Sequence, residues 1–272
     1  MTEKTLNNRK NGMVVLLLLV LAYVASVVLF IFGVSYDILP LTLISCVWFV
    51  FGWIFFLGLK VLKPQEALVL TLFGKYVGTL KNSGFYFVNP FCTAVNPAAG
   101  TKLNQSGDVK VLGAKQPSGG VDVSIDIPTK KISLKIMTLN NNRQKINDCL
   151  GNPVEIGIAV MWRVVDTAKA VFNVDNYKEY LSLQCDSALR NIVRIYPYDI
   201  APNVDTTGDG IADEGSLRGS SEVVAARIKD EIQDKVSEAG IEILEARITY
   251  LAYAPEIAAV MLQRQQASAI ID

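Results

Sequence analysis

Between Lys10 and Lys60 the chain carries a single charge, Asp37. That residue divides the segment into two apolar runs, VVLLLLVLAYVASVVLFIFGV over 14–34 and ILPLTLISCVWFVFGWIFFLGL over 38–59. Each has 21 or 22 residues, and at about 1.5 Å per helical residue either can cross about 30 Å of hydrocarbon. The first run is too long for the apolar core of a cleaved signal peptide and is followed at once by the second. The connector Ser35-Tyr36-Asp37 is so short that the runs must form a tight antiparallel hairpin. Lys4, Arg9 and Lys10 precede it and Lys60 and Lys63 follow it, which predicts that both ends face the cytoplasm. Trp48 and Trp53 sit inside the second run, away from an aromatic belt, and Pro40 is placed to break that helix near its start. Two geometries stay open, a hairpin that crosses and one that re-enters.

The rest of the chain, Val61 to Asp272, has globular composition and the length for one or two small cores. A net charge of zero lacks the electrostatic footprint of a nucleic-acid binder. Cys46, Cys92, Cys149 and Cys185 are scattered without CxxC pairing, which argues against a zinc site or disulfide framework. The sequence contains no histidine, so Ser-His-Asp, Cys-His and His-metal chemistry are excluded. GxSxG, GxxxxGK[ST] and GxGxxG are also missing. The expectation is a chain that is not an enzyme and needs no cofactor.

Periodicity assigns the elements. EALVLTLF (66–73) reads as a buried strand, and 85–88 as a short second one. Residues 98–120 read as a loop. VDVSIDI and ISLKIMTL alternate, the latter placing Ile132, Leu134 and Ile136 on one face. VEIGIAVMWRVV is the strongest strand, with Val154, Ile156, Ile158, Val160, Trp162 and Val164 on one face. Helices follow over 166–173, from an N-cap at Asn176 with the stripe Tyr177, Leu181, Cys185, Ala188, Ile192, Ile195, and from Ser221 to a stop at Gly240. The strand IEILEARITY leads into a last helix starting at Pro255. The fold class is α+β behind a helical membrane hairpin.

Three stretches are candidate sites. DTTGDGIADE (205–214) has the spacing of a calcium loop, with Asp205, Thr207, Asp209 and Asp213 as oxygen donors, but Ser216 stands where the bidentate Glu belongs. It reads either as an acidic surface loop or as a weak calcium site, the latter making the chain a calcium-responsive binding module. In KNSGFYFVNPF (81–91), Phe85, Tyr86, Phe87 and Phe91 fit a buried core or a loop resting among lipid headgroups, with the Cys92 thiol beside it open to acylation. On the last helix, Ile257, Val260, Met261, Ala267, Ile270 and Ile271 spread apolar character over more than one face, which suits several neighbouring helices. A terminal helix folded back on its own domain is the other reading.

Taken in order, VLKPQEALVLTLFGKYVGTLKNSGFYFVNPF, GNPVEIGIAVMWRV, SALRNIVRIYPYD and IEILEARITYLAYAPEIAAVMLQRQQASAII resemble the SPFH or Band 7 family, which includes stomatins, prohibitins and flotillins. The resemblance covers about residues 60 to 272. It implies three parts: a tail and hairpin over 1–60, an SPFH domain of two small α+β subdomains over 61–254, and the start of an oligomerisation helix over 255–272. That helix has no C-terminal cap, so the expectation is that the sequence stops inside the assembly segment. The resemblance further implies a membrane scaffold of many subunits, closed into a ring or cage on the cytoplasmic side. Its partners would be membrane lipids and membrane proteins such as an ATP-dependent protease. The two full-length apolar runs and the loops 98–120 and 203–216 depart from the family pattern.

Overall fold

The computed structural model describes residues 2–6, 11–103, 109–111, 129–141, 143–199, 215–261 and 263. The chain divides into two compact units, Met1–Ala99 with Pro128–Leu134, and Gly100–Ile127 with Lys135–Asp272.

The first unit begins with helices α1 (Gly12–Ser35), α2 (Leu39–Phe51) and α3 (Trp53–Phe56). Asp37 takes a positive φ of 51° in the turn between α1 and α2. Pro40 does not break the second run; it lies in the first turn of α2, where its missing N–H would have no helical partner anyway. The interruption falls instead at Gly52. At Gly33 a side chain would collide with Thr42, so the two helices approach closely there. Tyr23 gathers Trp48, Phe49 and Phe56 at ring-centroid distances of 6.4, 5.7 and 5.7 Å. Trp48 therefore sits mid-run because it packs α2 on α1.

Strands β1 (Leu59–Leu62), β2 (Glu66–Leu72), β3 (Lys75–Leu80), β4 (Gly84–Phe87) and β5 (Thr93–Ala94) follow. β1 pairs with β4, with Leu59 opposite Phe87 and Leu62 opposite Gly84. β2 lies between β3 and β5, which explains its unbroken buried run from Ala67 to Thr71. The N-terminal residues join the same unit. Leu6 N–H donates to the Thr79 carbonyl, Thr79 N–H donates to the Lys4 carbonyl, and Glu3 pairs with Lys81 at 2.6 Å. Both flanks of the helical hairpin thus fold onto one unit.

In the second unit β6 (Thr101–Leu103) and β7 (Val109–Val111) form a ribbon, while β8 (Ile132–Ser133) belongs to the first unit and pairs with β2. The segment expected as one strand over ISLKIMTL is therefore two. After β8 the chain passes into β9 (Met137–Asn140), which pairs with β11 (Pro153–Val164). The inward face changes parity on the way: Ile132 and Leu139 are buried and Ile136 is exposed. Lys131, beside β8, pairs with Glu66 on β2 at 2.9 Å.

β10 (Gln144–Asn147), β11 and β12 (Ile241–Tyr253) complete the second sheet, in the order β10-β11-β12. Helices α4 (Thr167–Phe172), α5 (Tyr177–Val193) and α6 (Ser221–Val236) accompany it. All six inward residues of β11, Val154 to Val164, are buried, and each such side chain contributes about 1.5–3 kcal/mol by leaving water. Trp162 meets Tyr177 edge-on at 6.3 Å, and burial pushes the Tyr177 hydroxyl pKa up to about 12. Asn176 caps α5 by accepting from Lys178 and Glu179 N–H groups. The α5 stripe is buried as far as Ile192, but Ile195 lies past the helix end and is exposed, and Tyr196 fills the core instead. Gly240, at φ +66°, ends the 3-10 turn after α6; a side chain there would strike the Asp166 backbone.

The loop between β10 and β11 turns around Asp148, which is buried. Its carboxylate accepts from Leu150 N–H (3.0 Å), Asn152 N–H (2.7 Å), Asn152 Nδ2 (3.1 Å) and Tyr198 N–H (3.2 Å). Asp148→Ala strips several buried donors of a charged partner, so a loss of about 2–4 kcal/mol is expected in denaturant unfolding of the detergent-solubilised chain. Asp148→Asn, which keeps acceptor oxygen, is expected to lose less.

Candidate functional site

Among the described residues two surfaces carry the candidate site residues, each inside one unit. The first is the foot of the helical hairpin. α3 runs into β1 through Leu57 and Gly58 alone, and the Gly58 carbonyl accepts from Val88 N–H at 2.9 Å. A side chain at Gly58 would collide with the Val88 carbonyl and the Phe87 ring, so only glycine lets the strand pass there. Strand alternation sorts the aromatic cluster. Phe85 and Phe87 share one face, near Gly12 and Gly58 respectively, and are half-buried. Tyr86 points the other way and is 4% exposed, with its hydroxyl donating to the Asn82 carbonyl at 2.8 Å. Tyr86 is thus a core residue and not a lipid contact. Phe91, past the strand, is 57% exposed. Cys92 is buried in the same core; burial pushes its thiol pKa up, with nearby Lys60 opposing, and acylation has no access to it.

The second surface is the start of the last helix, where residues 255–261 are helical. β12 delivers the chain there between fixed points. The Tyr253 ring lies 3.9 Å from that of Tyr198, buried Ala254 donates its N–H to the Pro153 carbonyl at 2.9 Å, and Lys145 on β10 pairs with Glu256 at 2.5 Å. Ile257 and Met261 are half-buried, and Val260 is 63% exposed. Ala267, Ile270 and Ile271 lie outside the described residues. The Lys145 ammonium bonded to Glu256 holds that carboxyl below its ordinary 4.5, with a backbone N–H assisting. A depressed folded-state value means the contact is fully present at neutral pH and is lost as pH falls through the depressed value.

Beside this exit an open groove of about 530 Å³ is lined by Lys145, Ile146, Asn147, Asp148, Arg190 and Arg194. Asp148 is committed to its loop and Arg190 donates to Gln144 at 3.3 Å, so both groups are engaged within the unit. Cys185 is buried, and burial, with Asp186 adding, drives its thiol pKa far up, which marks a packing thiol. Among the described residues no group of three His, Cys, Asp or Glu side chains is placed to hold a metal. Asp205, Thr207, Asp209 and Asp213 lie outside the described residues.

The model of the SPFH domain / Band 7 family matches residues 60–272. The chain belongs to the SPFH family. No curated protein gives a match to it. The match begins where the hairpin ends, at the first residue pairs of β1, and runs through both sheets into the last helix. SPFH proteins are known as membrane scaffolds, associate with membranes and oligomerise, and are generally non-enzymatic. The two apolar helical segments, Gly12–Ser35 and Leu39–Phe56, are long and apolar enough to cross a membrane and fit that association. Sequence reasoning missed the pairing of residues 4–6 with β3; the TEKTL stretch is polar and short, so only its neighbour in space reveals it.

Glu256→Gln removes the charge that Lys145 holds at the helix exit. Hydrogen exchange at 254–260 is expected to quicken several-fold, and the unfolding midpoint to stay within error, because an exposed ion pair adds little stability. Unchanged exchange would show that the pair does not position the helix.

Proposed function

We propose that this SPFH chain is a non-enzymatic membrane scaffold whose copies assemble into a large ring or cage enclosing a patch of bilayer. The observation that carries the reading is the joining of two fixed connections in one chain. A hairpin runs into β1 with no flexible linker, and a helix leaves β12 from a clamped start with an exposed apolar residue, Val260, in its first turns. Each copy is then held at the membrane by one end and offers the other end to neighbours. Lateral contacts that are weak singly become strong together when the membrane keeps all copies in one plane. The hairpin, residues 1–60, is the anchor; 61–254 is the SPFH domain of two subdomains; residues from 255 onward form the assembly helix through Ile257, Val260, Met261, Ile270 and Ile271. Both hairpin flanks fold onto one unit, which supports placing them on the same side of the bilayer, and the basic flanks Lys4, Arg9, Lys10, Lys60 and Lys63 support reading that side as the cytoplasm. The partners are membrane lipids, further copies of the chain, and membrane-protein clients such as a membrane protease held inside the assembly.

The double substitution Ile257→Asp with Val260→Asp places two charges on the assembly helix beyond its clamped start. Particle mass after gentle detergent extraction is expected to fall from many subunits to a few, with the SPFH fold intact by circular dichroism. An unchanged mass would place the subunit contacts elsewhere.

A further inference from the structure

β10 ends the path β10-β11-β12 of the second sheet, and its residues Lys145, Ile146 and Asn147 line the open groove with Arg190 and Arg194. Ladder geometry fixes which backbone groups of β10 face outward. In an antiparallel sheet the N–H and carbonyl of one residue point to the same side, and successive residues alternate. Asn141 N–H donates to the Ile158 carbonyl, so Ile158, Ile156 and Val154 of β11 point toward β9 and β10. Gln144 and Ile146 stand opposite Ile156 and Val154 and answer them. Pro153, which has no N–H to give, stands opposite Asn147, as this phase requires. Lys145 and Asn147 therefore turn their N–H and carbonyl groups away from the sheet. Those groups take no partner among the described residues. A lysine is one way to blunt an open edge, but the Lys145 ammonium is paired with Glu256.

The charge beside this edge selects what pairs with it. Gln144 bonds Asp186 of α5 at 2.6 Å, so the face of β10 that carries Gln144 and buried Ile146 is the one α5 covers. Arg190 and Arg194 follow Asp186 by one and two turns of the helix and are exposed. Arg194 has no partner among the described residues, and only the Nε of Arg190 is engaged, by Gln144. Asp148, the acid among the lining residues, has both carboxylate oxygens bonded around its own loop and to Tyr198 N–H. Those bonds also tie the end of β10 to the segment after α5, so edge and arginines are held ready and binding orders little of the site.

We propose that this groove takes an extended acidic segment of a client protein, added to β10 as a further strand. Its backbone bonds Lys145 and Asn147, and its carboxylates, at alternate positions, lie over α5 against Arg190 and Arg194. The edge is short, so one such contact is weak and salt-sensitive; copies held side by side multiply it. The client role rests on the scaffold reading, whereas the groove lies within one unit and binds without assembly.

The test uses the full chain in detergent and a fluorescein-labelled octapeptide of alternating Glu and Ser, read by anisotropy. The natural chain is expected to bind it, more weakly as salt rises. Arg194→Glu is expected to weaken binding several-fold with an unchanged unfolding midpoint, because that side chain holds nothing in the fold. When the glutamates face α5, the serine amides face β10. N-methylation of the serine amides is therefore expected to abolish binding, and N-methylation of the glutamate amides to leave it intact. Equal binding of the two methylated peptides would show charge attraction alone and overturn the added strand. No binding by the natural chain also overturns the proposal. If binding then appears once Asp205, Asp209, Asp213 and Glu214 are changed to Asn and Gln, the occupant is the chain's own acidic stretch and not a client. A chain that binds the peptide yet is monomeric by particle mass would leave the groove standing and remove only the scaffold.

Discussion

The pairing of Gly58 and Leu59 with Val88 and Phe87 is the join on which the rest depends. A helical hairpin whose surface is almost wholly apolar has one favourable solvent, the bilayer. Because it enters the sheet without a linker, the position of the bilayer becomes a position for the first unit. The N-terminal residues strengthen the same join from the other flank, through Leu6, Lys4 and Glu3 on β3. A looser tether would hold the chain at the membrane but leave the first unit to tumble, and lateral contacts made by that unit would then cost orientational freedom each time they formed.

The second unit solves a different problem, which is to hand a helix onward in a set direction. β11 and β12 are long, paired over Val154–Val164, and buried along one face of β11 by Trp162 and its neighbours. Ala254 and Tyr253 are fixed at the end of that lever, so the direction of the helix follows from the sheet. None of these features requires an acid, base or nucleophile. Tyr177 and Cys185 in this unit are perturbed by burial and belong to packing, while Glu256 is perturbed by its ion pair with Lys145.

Much of this was legible in sequence because it depends on periodicity and local chemistry. The six-residue face of β11, the Asn176 cap and the left-handed Gly240 all follow from neighbours along the chain. What was not legible depends on partners distant in sequence. ISLKIMTL alternates like one strand, but Ile132 serves β2 and Leu139 serves β11, so the chain changes parity between them. Trp48 looked misplaced until Tyr23 was found against it. Tyr86 and Phe87 are equivalent in composition, and only the pairing of β4 decides which of them faces inward.

The central claim is that membrane-fixed copies assemble laterally, and particle mass tests it most directly. The chain would be extracted from membranes in copolymer nanodiscs, without detergent, and weighed particle by particle. The account predicts a narrow population of closed assemblies, many subunits each, with lipid inside. A population of monomers or dimers would contradict it: the last helix would then fold back or bind another partner, and the SPFH fold would serve a purpose other than enclosure.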